Sequence, residues 1–136
     1  MNVIADASII VRSLFTVDSP EQSREVAEFL EKADAIVVPM VALCEAVAVL
    51  EKSYHLSKPH IAKMLQLTLK ISSVSTDADA VLAGIRVLED GGDFEDGVIQ
   101  YTGSQKAAKA VFVSLDSCAV RRLSRQGIAT AMPCSL

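Results

Sequence analysis

Two short apolar runs, each leading into an acid, constrain this chain more than any other feature. Val3-Ile4-Ala5 runs directly into Asp6, and Ala110-Val111-Phe112-Val113 runs through Ser114-Leu115 into Asp116. Short runs of this kind read as buried strands of a parallel sheet. In open α/β sheets, ligands bind in the crevice outside the carboxyl ends of the strands. Acids at the ends of an early and a late strand therefore face one crevice, although they lie far apart in sequence. Such a cluster repels itself unless a cation sits in it. The pattern points to metal-dependent chemistry on a phosphate-bearing substrate.

The rest of the chain alternates in the same way. Asn2 to Ala5 reads as a first, central strand, and Ser8 to Phe15 as a helix. Asp18-Ser19-Pro20-Glu21 starts a second helix with a Ser cap and Pro at the first position. That helix runs to about Lys32, with Val26, Phe29 and Leu30 on its inner face. Ala35 to Val38 is a strand stopped by Pro39. Val41 to Tyr54 and Pro59 to Lys70 are helical by composition, and Ile71 to Val74 is a short edge strand. Thr76 to Leu88 is a helix capped by Thr76 or Ser75. After the break at Gly91-Gly92 come a helix from Asp93 to Ala108 and a strand from Ala110 to Ser114. A helix from Ser117 to Arg125 ends at Gly127, and a last strand runs from Ile128 to Met132. The expected fold is a three-layer α/β/α sandwich with a mostly parallel central sheet of four to five strands.

Composition narrows the class. A chain of 136 residues suits one domain, 1–136. Hydrophobic residues make up 51% and aromatic residues 4%, so the core is built from Val, Ile, Leu and Ala. Cys44, Cys118 and Cys134 are odd in number and lack CxxC spacing, which argues against zinc or a disulfide framework. They read as reduced, mostly buried thiols of a cytoplasmic protein. The longest apolar stretch, Ala35 to Leu50, is interrupted by Pro39 and Glu45 and is too short to span a bilayer. The N-terminus carries no charged leader pattern. A net charge of −4 counts against a general nucleic-acid binder. Scattered Arg and Lys still suffice to grip a backbone.

Two further acids join Asp6 and Asp116. Glu45 sits in Pro39-Met40-Val41-Ala42-Leu43-Cys44-Glu45-Ala46-Val47, where almost every neighbour is apolar. It either faces a site or shares a solvent-facing stripe with Lys52. An unpaired charge in a buried helix costs several kcal/mol. Asp96 follows Asp93 and Glu95 at a helix start, where the dipole favours acids. Asp93 and Asp96 share one face, though, and their mutual repulsion is most simply relieved by a bound cation. Asp6 and Asp116 are each also candidates for helix caps. Arg12 lies one turn beyond Ser8, where it either contacts substrate phosphate or is solvated. Lys106 and Lys109 complement the dipole at the end of the long helix. His55 and His60 read as surface residues around a turn at Pro59.

Together, Val3-Ile4-Ala5-Asp6-Ala7-Ser8, the isolated Glu45, Gly91-Gly92-Asp93-Phe94-Glu95-Asp96-Gly97 and Val113-Ser114-Leu115-Asp116 resemble a PIN-domain ribonuclease. The likeness is greatest to the small VapC-like toxins of bacterial type II toxin–antitoxin systems, and it covers the whole chain. Three positions depart from the usual pattern: Ala7 within the Asp6 turn, Gly97 for the usual small Ala, and Ser114 for the usual Thr. None removes a carboxylate.

The resemblance implies a metal-dependent endoribonuclease that inhibits translation. Asp6, Glu45, Asp96 and Asp116 would be the catalytic, metal-holding acids. Asp93 would orient a metal-bound water, and Ser8 and Ser114 would support the acids through hydrogen bonds; the candidate substrate contact, Arg12, rests on its place one turn after Ser8. Oxygen donors of this kind suit Mg²⁺ or Mn²⁺. The resemblance further implies a homodimer and an antitoxin, received in an apolar groove near Leu14, Val26, Phe29, Leu50 and Tyr54.

The alternative within the fold is a non-catalytic RNA-binding or scaffold PIN domain. A phospho-acceptor receiver domain would need paired acids after the first strand and a Lys after the last. A phosphohydrolase with an aspartyl nucleophile would need a second acid in place of Ser8. Neither pattern is present.

Overall fold

The computed structural model describes residues 1–133, so Cys134 lies outside the described residues. These residues form seven helices and five strands, and every strand pairing is parallel. The chain divides into two compact units, one spanning Met1–Ala78 and the other beginning at Asp79.

The first unit contains β1 (Asn2–Ile4), α1 (Ala7–Leu14), α2 (Pro20–Leu30), β2 (Ala35–Val37), α3 (Met40–Lys52), α4 (Lys58–Leu69) and β3 (Val74–Ser75). Its ladder runs β1-β2-β3, with Val3 opposite Ile36 and Ile36 opposite Val74. Within this ladder β2 is the middle strand, whereas the sequence reading made β1 central. Ile4 is 77% exposed rather than buried. Ladder bonds continue past the strands, with the Ala5 amide donating to Val37 and the Val38 amide to Ser75.

Leu43, Ala46, Val47 and Leu50 form one buried stripe on α3 at helical spacing. Ile61, Ala62 and Leu65 do the same on α4, and Ile10 and Val11 are buried on α1. Each fully buried Leu or Ile contributes roughly 1.5–3 kcal/mol. The inner face expected for α2 is not buried: only Ser23 is, and Phe29 is 53% exposed. Ser19 stands at the cap position of α2 and Pro20 opens it, but the Ser19 hydroxyl makes no capping bond.

The second unit contains most of α5 (Ala78–Glu89), then α6 (Phe94–Ser104), β4 (Phe112–Val113), α7 (Ser117–Arg125) and β5 (Thr130–Ala131). β4 pairs with β5, with Phe112 opposite Thr130. α5 begins later than the sequence suggests, because the Thr76 hydroxyl donates to the Val38 carbonyl (2.8 Å) outside the helix. Gly91 and Gly127 both take φ +85, the left-handed conformation that glycine tolerates after a helix end.

α6 stops at Ser104 rather than Ala108, and Lys109 turns to φ +60. Lys106 and Lys109 therefore lie beyond the helix instead of in its last turn. Val111 and Val113 are about half exposed, at 50% and 57%, so the run before Asp116 is not the fully buried strand expected. The ladder of this unit has two strands, β4 and β5.

Candidate active site

Asp6 lies two residues beyond β1 and caps α1. Its extended backbone (φ −84, ψ 178) aims the carboxylate back over the first turn. Oδ1 accepts the Ser8 hydroxyl at 2.6 Å and the Ile9 amide at 3.1 Å. Those two donors, Ser8 foremost, hold the carboxyl below its ordinary pKa. Asp6 is exposed and stays ionised at neutral pH, so the cap leaves an accessible charge.

Glu45 is exposed on α3, off the buried stripe of Leu43, Ala46, Val47 and Leu50. Glu45 is exposed, as a stripe shared with Lys52 requires, and it also faces a cavity. Helical periodicity, not neighbour composition, decides which side chains are buried. Val41, one turn before Glu45, is itself 83% exposed. Glu45 lines a cavity of about 360 Å³ within the first unit, together with Ser8, Arg12, Gln22, Val49 and Tyr54.

Arg12 is neither solvated nor free. Nη1 and Nη2 donate to the two oxygens of Asp18 at 2.5 and 3.0 Å, and Nη2 also donates to the Tyr54 hydroxyl at 2.8 Å. The Tyr54 ring stacks on Phe15 with centroids 4.4 Å apart. The pair shifts both partners in the expected sense: Asp18 holds the Arg12 pKa up, and Arg12 holds that of Asp18 down.

In the second unit, Asp93 precedes α6 at the cap position, and Asp96 lies on its first turn, half-buried. Burial raises the Asp96 pKa, and the charges of Asp93, Asp116 and Glu95 push in the same direction; Arg122 opposes them weakly. Asp116 caps α7, accepting the Cys118 and Ala119 amides at 2.9 and 3.2 Å. The Ser114 hydroxyl accepts the Asp116 amide at 3.0 Å, so it shapes the turn rather than donating to a carboxylate. Gly97 lets α6 approach α5 closely, since a Cβ there would overlap the Ala83 carbonyl oxygen and lie 2.7 Å from the Gly84 Cα.

The negatively charged neighbours of Asp96 are all carboxylates, the hard oxygen donors that suit Mg²⁺ or Mn²⁺. Among the described residues, no group of three or more His, Cys, Asp or Glu is gathered closely enough to hold a metal ion. Cys44 is half-buried and Cys118 exposed, and neither is in a disulfide; Cys118 is thus not the buried thiol expected. His55 and His60 are exposed, as expected.

Sequence reasoning missed Asp18 and Tyr54 as partners of Arg12, and Arg122 as the cation facing Asp96. Arg12 lies on α1 and Asp18 on the segment after it, so no periodicity within one element relates them and the sequence held no signal for the pair.

Parallel strands that alternate with helices define an α/β protein. The PIN domain family model matches residues 3–120, and the chain belongs to that family. PIN domains are generally metal-dependent nucleases that act on RNA. Neither the curated proteins nor the solved structures gave a match. No helix among the described residues is long and apolar enough to cross a membrane.

Proposed function

We propose that this chain is a Mg²⁺- or Mn²⁺-dependent endoribonuclease, the toxin of a toxin–antitoxin pair that inhibits translation by cutting RNA. The observation that carries this reading is that the PIN match, residues 3–120, contains all four acids in order: Asp6, Glu45, Asp96 and Asp116. In this reading, residues 1–136 act as one PIN-like domain and these four acids hold one or two ions. The chemistry such an ion supplies when bound is Lewis acidity, which eases ionisation of water and offsets charge on the phosphodiester.

The chain's own residues prepare for that task. Ser8 and the Ile9 amide keep Asp6 ionised and orient its carboxylate. Asp96 carries repulsion from Asp93, Glu95 and Asp116 that a cation offsets. Asp93 orients water beside Asp96, and Ser114 fixes the turn that presents Asp116.

The partners we propose are an RNA substrate, a second copy of the chain and a small antitoxin, in the cytoplasm. A groove of about 340 Å³ in the first unit, lined by Val3, Ile4, Ile9, Val26, Phe29 and Leu30, supports the antitoxin reading. Leu50, assigned to that surface from sequence, is 0% exposed and belongs to the core.

The test is cleavage of total cellular RNA by purified protein with Mg²⁺ or Mn²⁺, compared with EDTA and with Asp6→Asn. Cutting that requires both the metal and Asp6 supports the nuclease. No cutting by metal-loaded, antitoxin-free protein supports the non-catalytic PIN alternative.

A further inference from the structure

We infer that Arg12 and Tyr54 form a phosphate-binding subsite for the RNA backbone, and that Asp18 occupies it in the free protein as an internal stand-in for phosphate. The inference deepens the nuclease reading and rests on it for the identity of the ligand.

A guanidinium fork binds two oxygens of one planar or tetrahedral anion, and carboxylate and phosphate fit it equally well. Both Arg12 terminal nitrogens are engaged with the two oxygens of Asp18, and Nη2 also meets the Tyr54 hydroxyl. The geometry is that of a filled anion site. Arg12 and Tyr54 line the cavity that also holds Ser8 and Glu45, and Asp18 reaches Arg12 from outside that lining. Ser8 is bonded to the Asp6 carboxylate, so within the first unit the subsite adjoins two of the acids proposed for catalysis.

The two sides of the pair differ in their freedom to move. The Arg12 side chain is only 13% exposed, rooted on α1, and its guanidinium carbon lies 5.8 Å from the Tyr54 ring centroid. Asp18 is 35% exposed on the short segment between α1 and α2. The anion is therefore the half that leaves. A phosphodiester displacing Asp18 would keep the bidentate contact and the Tyr54 hydroxyl, while the Asp18 charge returns to water.

The test is binding without turnover. A short fluorescein-labelled single-stranded RNA is titrated in EDTA buffer with wild type, Asp18→Asn, Arg12→Gln and the double variant. The expected result is roughly three- to fivefold tighter binding by Asp18→Asn, the effect of removing a partly exposed ion pair. Arg12→Gln should abolish that gain. Equal or weaker RNA binding by a folded Asp18→Asn protein overturns the inference.

If Asp18→Asn fails to fold, the Arg12 Nε resonance of the wild type decides. A shift on adding the RNA supports the subsite, and no shift at saturating RNA overturns it. Inorganic phosphate moving Arg12 without any RNA effect likewise overturns the assignment to RNA. No arm depends on cleavage, so an inactive nuclease and a wrong subsite give different results.

Discussion

Replacing Gly97 with Ala adds one methyl group where α6 runs against the backbone of α5. The new Cβ would overlap the Ala83 carbonyl oxygen and stand 2.7 Å from the Gly84 Cα. Both obstacles are main chain, so no side chain can rotate away and the helices must separate. Overpacking of this kind costs about 1–3 kcal/mol, and a backbone obstacle places it near the upper end. Helix propensity returns about 1 kcal/mol for Gly to Ala. The net expectation is a loss of about 2 kcal/mol, or roughly 6–12 °C in Tm.

Gly103 on the same helix is the control, because a Cβ there meets nothing within 4 Å. Gly103→Ala should stabilise by up to about 1 kcal/mol. Thermal and urea unfolding of both variants provides the assay. The family commonly carries Ala at the position of Gly97, so resemblance alone expects tolerance. A Gly97→Ala protein as stable as wild type would refute the close-approach argument.

Three other expectations follow from the acids. Asp96 has a raised pKa, so the folded state binds more protons than the unfolded state above the ordinary carboxylate range, and stability falls as pH rises through that window. Metal-free Asp96→Asn should therefore be more stable than wild type at neutral pH, with the difference disappearing in acid; equal pH profiles of Tm would contradict this. Asp116→Ala should lose about 1 kcal/mol through the α7 cap, while Asp116→Asn keeps the cap. If Asp116 also holds metal, both variants lose RNA cleavage, and an active Asp116→Asn would reduce the residue to a cap. Mg²⁺ at a hundred times its Kd should stabilise wild type by about 2.7 kcal/mol, an increment that Asp96→Asn should lack in a thermal-shift series.

Much of the architecture was legible because local rules agree with it. The Pro20 and Ser117 helix starts, the Gly91 and Gly127 stops and the parallel strands all follow from punctuation and periodicity. Asp6 and Asp116 show that capping and site chemistry do not exclude each other: both accept backbone amides, and Asp6 still exposes its charge.

Glu45 has apolar neighbours in sequence, and its helical phase is what turns it out of the core. The misreadings came from tertiary context. Phe29 has the composition of an inner face but lines an open groove. The Arg12–Asp18 pair joins a helix to a loop at a spacing no repeat encodes. The role of Gly97 depends on a helix crossing that the sequence does not display.

The measurement that most directly tests the central claim is Mn²⁺ binding, followed by electron paramagnetic resonance, in wild type and in Asp6→Asn, Glu45→Gln, Asp96→Asn and Asp116→Asn. The account predicts that wild type binds Mn²⁺ and that each folded variant loses affinity, because the proposed function assigns all four acids to metal binding. Wild-type affinity retained in every variant would contradict it.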